Sequence, residues 1–440
     1  MRIRRGFAKG ILIALAISLV PTVAISAQKI IPGSKCKVVK QKVNYLDKTY
    51  TCIKSGKKLI WNNGVVVDKP ISVPNPQPSP TPPPIPFTID LSLDSRITPR
   101  AELSKNELCK TRDLSYRTDT SNGFPRPAGA LISPSSVKIL ILPVHLPDVP
   151  FLESDLAKLK NATEETAAIY KRISFGKLNI EFTYPEKSEW VTLSRSAASY
   201  GLIDNKPQQN NEIVVIDAIT ASSAKINFDL YAGILIETGH FKSTGGGQGF
   251  PGQRYATGHG TAKGVSFEFG SAVGVWQTIA HEIGHSLFAL EDLYIFLNSN
   301  RPSVLDPNPA GPWDMMSNSK PDFFGWNKLL MGFLADEDFR CISSQSDTVH
   351  HISNIDSMSG NRLVLINLSE GRTLALEGRT SVDGNQGLLV YEIDSSVNHG
   401  DGPIKSQKAL IENSQPVSLI GYKLEVLERN RNGLLVRVTK

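Results

Sequence analysis

The chain has 440 residues, of which 40% are hydrophobic and 20% are charged. That composition is typical of an ordinary globular protein, and the length allows two or three domains with a sizeable core. The formal net charge is +6, and four of the positive side chains lie within the first nine residues. The remaining chain is close to neutral, so we expect no nucleic-acid partner.

The first 27 residues have the three parts of a secretory signal peptide. A basic start is followed by the apolar run Gly10 to Val20 and then by the small-residue stretch Ala24 to Ala27. The apolar run is shorter than the about 20 residues that a membrane-spanning helix needs. We expect cleavage after Ala27 and a secreted or cell-surface bacterial protein without a transmembrane segment; an uncleaved membrane anchor is the alternative.

The four cysteines predict two disulfides, because their number is even and the expected compartment is oxidising. Cys36 and Cys52 are close in sequence and are separated from the others by a linker, so we pair them. Pairing of Cys109 with Cys341 follows by elimination. The alternative is four free buried thiols.

Residues 28–68 are predicted to form a small β module, with the first disulfide as its staple. Lys37 to Val43 and Thr49 to Ile53 alternate like short strands. Nine lysines stand against two aspartates, which indicates either attachment to an anionic cell-envelope polymer or simply a solvated lysine-rich face. Residues 69–88 are proline-rich and predict an extended linker at a domain boundary.

Residues 89–345 alternate between strand and helix patterns, which predicts a mixed α/β sheet packed by helices. Ser154 to Ile173 has helical spacing with Ser154 as its N-cap, and Asn211 to Ser223 opens as a strand that continues into a helix. The other predicted strands are Val137 to Val144, Leu178 to Tyr184 and Ala232 to Glu237.

Two further segments have distinct patterns. Gly245 to Gly264 is rich in glycine and predicts a flexible loop at the rim of a cleft. Residues 346–440 contain short β-branched segments separated by turns, which predicts a C-terminal β-sandwich-like domain. Those segments are Arg362 to Leu368, Arg372 to Glu377, Gly387 to Ile393, Leu419 to Leu427 and Gly433 to Val438.

The stretch Thr278 to Tyr294 contains the pattern His281-Glu282-x-x-His285. On a helix, residues four apart share a face, so both imidazoles can reach one metal ion, with Glu282 beside them. An apolar stripe at helical spacing lies on a different face and predicts packing against the sheet. Its members are Val275, Ile279, Ile283, Leu287 and Leu290.

A catalytic zinc site usually has three protein ligands and one open position. The third ligand must leave the helix axis, so we expect the helix to end near Phe288 to Leu290. Glu291 and Asp292 are the candidates close in sequence. Three histidines are weaker candidates: His145, His240 and His259.

This segment resembles the immune inhibitor A-like zinc metallopeptidases, a secreted bacterial family of the metzincin type. Their pattern is His-Glu-x-x-His-x-x-Gly-x-x-Asp, followed after one residue by Tyr. Phe288 here stands in place of the Gly and Glu291 in place of the Asp. Asp292-Leu293-Tyr294 reproduces the family's Asp-Leu-Tyr ending one residue later. Strict spacing favours Glu291 and the local motif favours Asp292, which we prefer.

Three other stretches strengthen the resemblance because they follow in the family's order. Trp313 to Ser317 is similar to the methionine turn beneath the metal, with Met316 as the turn residue, although gap-filling core methionines are the alternative. Val137 to Asp148 resembles the first strand of the catalytic domain. Gly387 to Asp394 resembles the C-terminal β region. The lysine-rich module is similar to accessory modules of secreted bacterial proteins.

The resemblance implies an α/β (α+β) metzincin-like catalytic domain and a zinc endopeptidase that hydrolyses proteins or peptides. His281, His285 and Asp292 would bind Zn²⁺, and Glu282 would be the general base for a metal-activated water. The alternative is a catalytically inactive, metallopeptidase-like binding protein attached to the cell envelope. Phe288 and the displaced acid are the features that favour that alternative.

Two points stay open at this stage. The segment Asp383 to Asn385 is a fragment of a Ca²⁺-binding loop, so calcium is a second candidate ion. Residues 89–134 precede the first strand and could cover the cleft as a pro-segment, with Cys109 as a zinc ligand of a latency switch. We rank that switch below the Cys109–Cys341 disulfide.

Overall fold

The computed structural model places the described chain in two compact units, one within Met1–Ile85 and the other within Pro86–Lys440. The described residues are 31–45, 48–66, 90–117, 119–203, 211–242, 245–297, 303–318, 322–380, 384, 386–407, 409–412 and 415–440. The expected signal peptide (1–27) and the proline-rich linker (69–88) lie outside them. Within these residues, no helix is both long and apolar enough to cross a membrane.

The first unit is a small antiparallel sheet. Its strands are β1 (Lys42–Tyr45), β2 (Lys48–Ser55), β3 (Lys58–Trp61) and β4 (Val65–Val66), and β2 pairs with the other three. The strand expected from Lys37 begins only at Lys42. Tyr50 and Cys52 are buried, most of the other side chains described in this unit are exposed or partly exposed, and the predicted Cys36–Cys52 disulfide is present. So small a core depends on a covalent staple.

The second unit contains a six-stranded sheet with helices on both faces. Its strands are β5 (Ser136–His145), β6 (Asn179–Thr183), β7 (Val191–Thr192), β8 (Gly233–Thr238), β9 (Gly245–Thr257) and β10 (Gly260–Gly270). The order is β6–β5–β8–β10–β9, with β7 paired to β5. The pairings are parallel except that of β9 with β10. The α-helices are α1 (Glu153–Ile173), α2 (Asn211–Ser222), α3 (Trp276–Ser286), α4 (Met315–Asn318) and α5 (Gly325–Leu330).

The central strand β5 shows why its predicted apolar run is continuous. Ile139 and Ile141 pack with α1 and α3 on one face of the sheet. Leu140 and Leu142 pack with α2 on the other face. Because successive side chains of a strand point to opposite faces, a strand covered on both faces must be apolar throughout.

Two predicted helix beginnings differ from the structure. Helix α1 starts at Glu153 with Leu152 as N-cap residue, and the Leu152 N–H donates to the Asp155 carboxylate at 3.0 Å, so Ser154 is not the cap. The segment from Asn211 is helical from its first residue, and the predicted opening strand is wrong. Val214, Val215 and Ile219 are buried against the sheet, whereas Ile213 and Ile216 are exposed. The tertiary contact of the buried side outweighs the preference of these residues for strands.

The glycine-rich segment is a β-hairpin, and the predicted flexible loop is wrong. Strands β9 and β10 pair along most of their length, and β9 contacts α3 closely. A Cβ atom on Gly247 would lie 2.5 Å from Glu282 Oε1, and one on Gly249 would lie 2.6 Å from His285 Cβ. These glycines therefore allow a helix to approach a strand, and they do not indicate flexibility.

The C-terminal strands form two sheets around one core. The strands are β11 (Phe339–Ile342), β12 (Asp347–Ser353), β13 (Leu363–Ser369), β14 (Arg372–Thr380), β15 (Gln386–Asp394), β16 (Ile404–Ser406), β17 (Val417–Leu419), β18 (Tyr422–Asn430) and β19 (Gly433–Thr439). The sheets have the orders β11–β13–β14–β15–β16 and β12–β19–β18–β17, and their apolar side chains meet between them. The first strand of this sandwich precedes residue 345. The whole is a mixed α and β protein, rich in sheet.

Candidate metal centre

Helix α3 presents His281, Glu282 and His285 to a cleft of about 410 Å³. Ile279 and Ile283 of the same helix point into the core, and the two histidines, four residues apart, share the side that faces the cleft. The side chain of His281 is 17% exposed and that of His285 is 9% exposed. The apolar stripe therefore anchors the helix and leaves both imidazoles at the cleft.

The chain turns back after α3, and the turn depends on Ala289. The helix ends at Ser286, slightly before the predicted end. Ala289 has a φ of 52°, in the left-handed region that favours glycine. Phe288, at the position of the glycine in the resembled family, is fully buried and stacks on Tyr170. The left-handed residue is therefore Ala289, and the chain after it returns to the helix so that Asp292 reaches both histidines.

Three possible ligand atoms converge in the cleft. Asp292 Oδ1 lies 3.0 Å from His281 Nε2 and 3.2 Å from His285 Nε2, and the two nitrogens are 3.1 Å apart. Among the described residues, these are the only three acidic, histidine or cysteine side chains close enough together to hold one metal ion. Of the two acids considered from the sequence, it is Asp292 that meets the histidines.

The hydrogen bonds of the two Nδ1 atoms determine the tautomer of each imidazole and so the protonation of each Nε2. His281 Nδ1 donates to the Met315 carbonyl at 3.1 Å, and His285 Nδ1 donates to the Leu290 carbonyl at 2.7 Å. Since a carbonyl only accepts, the proton of each neutral ring lies on Nδ1, and Nε2 presents a lone pair. When both rings are neutral, as metal binding requires, two lone pairs and a carboxylate oxygen face one another. Such a set can hold a divalent metal ion.

The pKa values of these residues reflect the same arrangement. Burial lowers the pKa of His285, but the charge of Asp292 and the hydrogen bond to it raise that pKa to about 9. Burial also opposes protonation of His281, yet its bond to Asp292 leaves the pKa raised. Although burial favours the neutral acid, the two imidazoles hold the pKa of Asp292 well below its usual range. The centre of the site therefore favours positive charge.

Glu282 lies between the ligand set and strand β9. Its carboxylate accepts the N–H of Gly249, and burial raises its pKa while the two histidines lower it only in part. Gly247 lies so close to the Glu282 side chain that no larger residue fits at this position of β9. A buried carboxyl group with a raised pKa, next to a cation site, is suited to exchange protons with water.

Glu291 is buried beside the ligand set but contacts other partners. Its Oε1 accepts a hydrogen bond from Thr120 Oγ1 at 2.5 Å, and its Oε2 lies 2.5 Å from His399 Nδ1. His399 Nε2 is 3.5 Å from Asp292 Oδ2, the carboxylate oxygen that does not face the imidazoles. Glu291 is thus connected to Asp292 through His399.

The short helix α4 packs beneath α3 at the predicted methionine turn. Met316 is fully buried, and a Cβ atom on Gly284 would lie 2.6 Å from its sulfur. The Leu293 N–H donates to the Met316 carbonyl at 2.9 Å. Asp314 accepts N–H groups of Met316 and Phe324 at 2.7 and 2.6 Å, so its carboxylate shapes the turn.

Other candidates from the sequence lie elsewhere. His145 ends β5, His240 follows β8, and His259 is exposed between β9 and β10. Cys109 is joined to Cys341 in the second predicted disulfide, so its sulfur is not a free thiolate. The calcium fragment Asp383 to Asn385 falls largely outside the described residues.

The cleft also contains residues that were not among the site residues predicted from the sequence. Thr120 and Arg117 come from the segment before β5, and His399 comes from the loop after β15. They are far from α3 in sequence, so only the tertiary structure brings them to the site. Tyr294 lies beside Asp292, and burial together with that carboxylate raises the pKa of its phenol. The other lining residues are Asn211, Gln248, Pro251 and Phe296.

Comparison of this chain with protein-family models and with curated proteins gives no match. The residues of the site are therefore the basis for its expected chemistry.

Proposed function

We propose that this protein is a secreted zinc-dependent endopeptidase of the immune inhibitor A-like type. The observation that supports it most directly is the convergence of His281, His285 and Asp292 beside the buried Glu282. Ligand atoms bound tetrahedrally to zinc at about 2.0–2.1 Å are about 3.3 Å apart. The separations of 3.0 to 3.2 Å are close to that value, and imidazole and carboxylate are ligands that zinc prefers.

A zinc ion at this position would supply a Lewis acid that polarises the scissile carbonyl and lowers the pKa of a bound water toward about 7. Glu282 accepts a proton from the attacking water and delivers it to the leaving amine nitrogen. The Gly249 N–H keeps the carboxylate of Glu282 in place for both transfers. His399 and Glu291 restrain Asp292 from the side opposite the histidines. The amide C–N bond breaks, and the water oxygen stays on the carbonyl carbon.

Secretion is part of the proposal because of the signal-like N-terminus and the two disulfides. Every described lysine of the first unit is exposed, so the unit can attract an anionic polymer of the cell envelope. On this proposal, the first unit concentrates the enzyme at a charged surface, and the metal centre cleaves proteins there.

The test combines zinc binding with proteolysis in the full chain. We expect one zinc per chain and casein hydrolysis that a chelator abolishes and zinc restores. Glu282→Gln should keep zinc and lower hydrolysis by about 10²–10⁴-fold, because only the proton acceptor is lost. Glu164→Gln, an exposed change on α1, is the matched control and should be fully active.

The two parts of the proposal can fail separately. Absence of stoichiometric zinc would remove the metal assignment and the mechanism with it. Tight zinc binding without hydrolysis by the correctly processed protein would instead indicate the binding protein considered from the sequence.

A further inference from the structure

A second cavity, of about 590 Å³, lies where residues 90–100 cross the C-terminal sandwich. It shares no lining residue with the metal-centre cleft. Its polar lining is rich in hydrogen-bond donors and includes Arg100, Arg340, Ser357, Asn361 and Arg431.

Arg340 is the residue that needs explanation. It is only 6% exposed, its Nη2 donates to the Thr98 carbonyl, and its Nε has no hydrogen-bond partner. No carboxylate of the described chain pairs with it, and burial together with the nearby Arg100 lowers its pKa to about 10. A buried charge that lacks a counter-ion is strongly unfavourable. A bound anion would therefore stabilise this guanidinium.

The surrounding charges do not supply that anion. Arg100 donates to the Phe339 and Glu337 carbonyls at 3.0 and 2.9 Å, and these partners are neutral. Arg431 is exposed in the turn between β18 and β19. Asp90 is the only acid in the lining, and its Oδ1 accepts the N–H and the hydroxyl of Ser92 at 3.0 and 2.6 Å, but the carboxylate forms no ion pair with Arg340. The cavity is thus lined by three guanidinium groups and one carboxylate, which leaves an excess of positive charge.

We propose that this cavity binds a phosphate-type oxyanion, either free phosphate or a small phosphate ester. Arg340 provides the buried positive charge, and Arg431 provides a second charge at the mouth. Guanidinium groups match the geometry of phosphate oxygens. The hydroxyl of Ser357 offers a further donor for the remaining oxygens, whereas the Asn361 amide nitrogen donates to the His351 carbonyl at 2.8 Å. The site is independent of the proposed peptidase activity.

Calorimetric titration of the full chain with inorganic phosphate and with glycerol phosphate, at constant ionic strength, tests the proposal. We expect one saturable site, and the tighter probe identifies whether the free ion or the ester is the ligand class. Arg431→Gln should weaken binding about tenfold, since one charge-assisted contact is lost. Arg437→Gln is the matched control, because Arg437 pairs with Asp347 outside the cavity, and it should bind like the unaltered protein.

Arg340→Met tests the buried charge itself. Because it removes an unpaired buried charge, the variant without phosphate should unfold at a temperature no lower than the unaltered protein. Phosphate should raise the unfolding temperature of the unaltered protein and leave that of Arg340→Met unchanged. Absence of saturable binding with either probe would overturn the proposal. Equal weakening by Arg431→Gln and Arg437→Gln, or intact binding by Arg340→Met, would overturn it as well.

Discussion

Asp292 and Glu291 are adjacent carboxylates of equal burial, each 5% exposed, with different partners. Asp292 meets both imidazoles, and Glu291 meets Thr120 and His399. The difference arises because successive side chains of an extended segment point in opposite directions. A difference of one position in the sequence therefore decides which of the two carboxylates a metal ion would contact.

Substitutions at these two positions distinguish a residue that would bind the metal directly, Asp292, from one that would position that ligand, Glu291. Asp292→Asn should lower zinc affinity by roughly a hundredfold or more, because the amide is a neutral and poor ligand. Glu291→Gln should keep the zinc stoichiometry and weaken affinity by roughly tenfold to a hundredfold, the usual effect of removing a partner of a ligand. Competition with a chromophoric chelator measures both. A larger loss in Glu291→Gln than in Asp292→Asn would reverse the assignment.

Among the secondary-structure elements, α3 and β9 determine the shape of the site together. The glycines of β9 let the helix approach the strand, so that Glu282 lies against the Gly249 N–H. The end of α3 depends on a left-handed alanine, which an L side chain adopts only with strain. The turn that brings Asp292 back to the two histidines thus contains a strained residue.

Ala289→Gly should relieve that strain. Glycine accepts a positive φ without cost but gains freedom in the unfolded chain, so we expect the free energy of unfolding to rise by about 0.5–1 kcal/mol. Urea unfolding of metal-free protein is the appropriate measurement, because bound metal adds its own stabilisation. Ala167→Gly, within helix α1, is the control and should lower stability by about 1 kcal/mol. Destabilisation by Ala289→Gly would contradict this account of the turn.

Across the whole second unit, one apolar core joins the helices of the candidate metal centre to the C-terminal sheets. Trp326 of α5 packs in the same cluster as Leu363 and Leu389 of the five-stranded sheet. Arg379 of that sheet pairs with Glu377 and Asp322 and donates to the Phe323 carbonyl at 2.6 Å. The C-terminal sheets therefore support the candidate metal centre, and the loop between β15 and β16 supplies His399.

The Cys109–Cys341 disulfide ties these parts across a sequence separation of 232 residues. A double Cys→Ala variant at these positions should lose about 2–5 kcal/mol of unfolding free energy, because its unfolded chain is released from a long loop. Urea denaturation followed by tryptophan fluorescence measures the change. The same double substitution at Cys36 and Cys52, in the first unit, should leave unfolding of the second unit unchanged. Equal unfolding midpoints for both variants would contradict the expected role.

Local patterns predicted much of the fold, and the failures have physical causes. Apolar runs and turns predict strand β5 and five of the nine C-terminal strands of the described residues, because those signals depend on neighbours in sequence. The short or isolated strands β11, β12, β16 and β17 have no counterpart among the predicted segments. The helix at Asn211 and the hairpin at Gly245 were mispredicted, because valine and glycine respond to what packs against them. The order of sheets and the contacts between them could not be predicted from these signals.

By itself, the sequence determined the spacing of His281, Glu282 and His285, the composition of the first unit and the pairing of its cysteines. These follow from helix periodicity and from closeness along the chain. Only the tertiary structure decided that Asp292 meets the histidines, that Thr120 and His399 hold Glu291, and that Arg340 is buried without a counter-ion. The reason is that such contacts join distant segments, whose approach depends on the packing of the complete core.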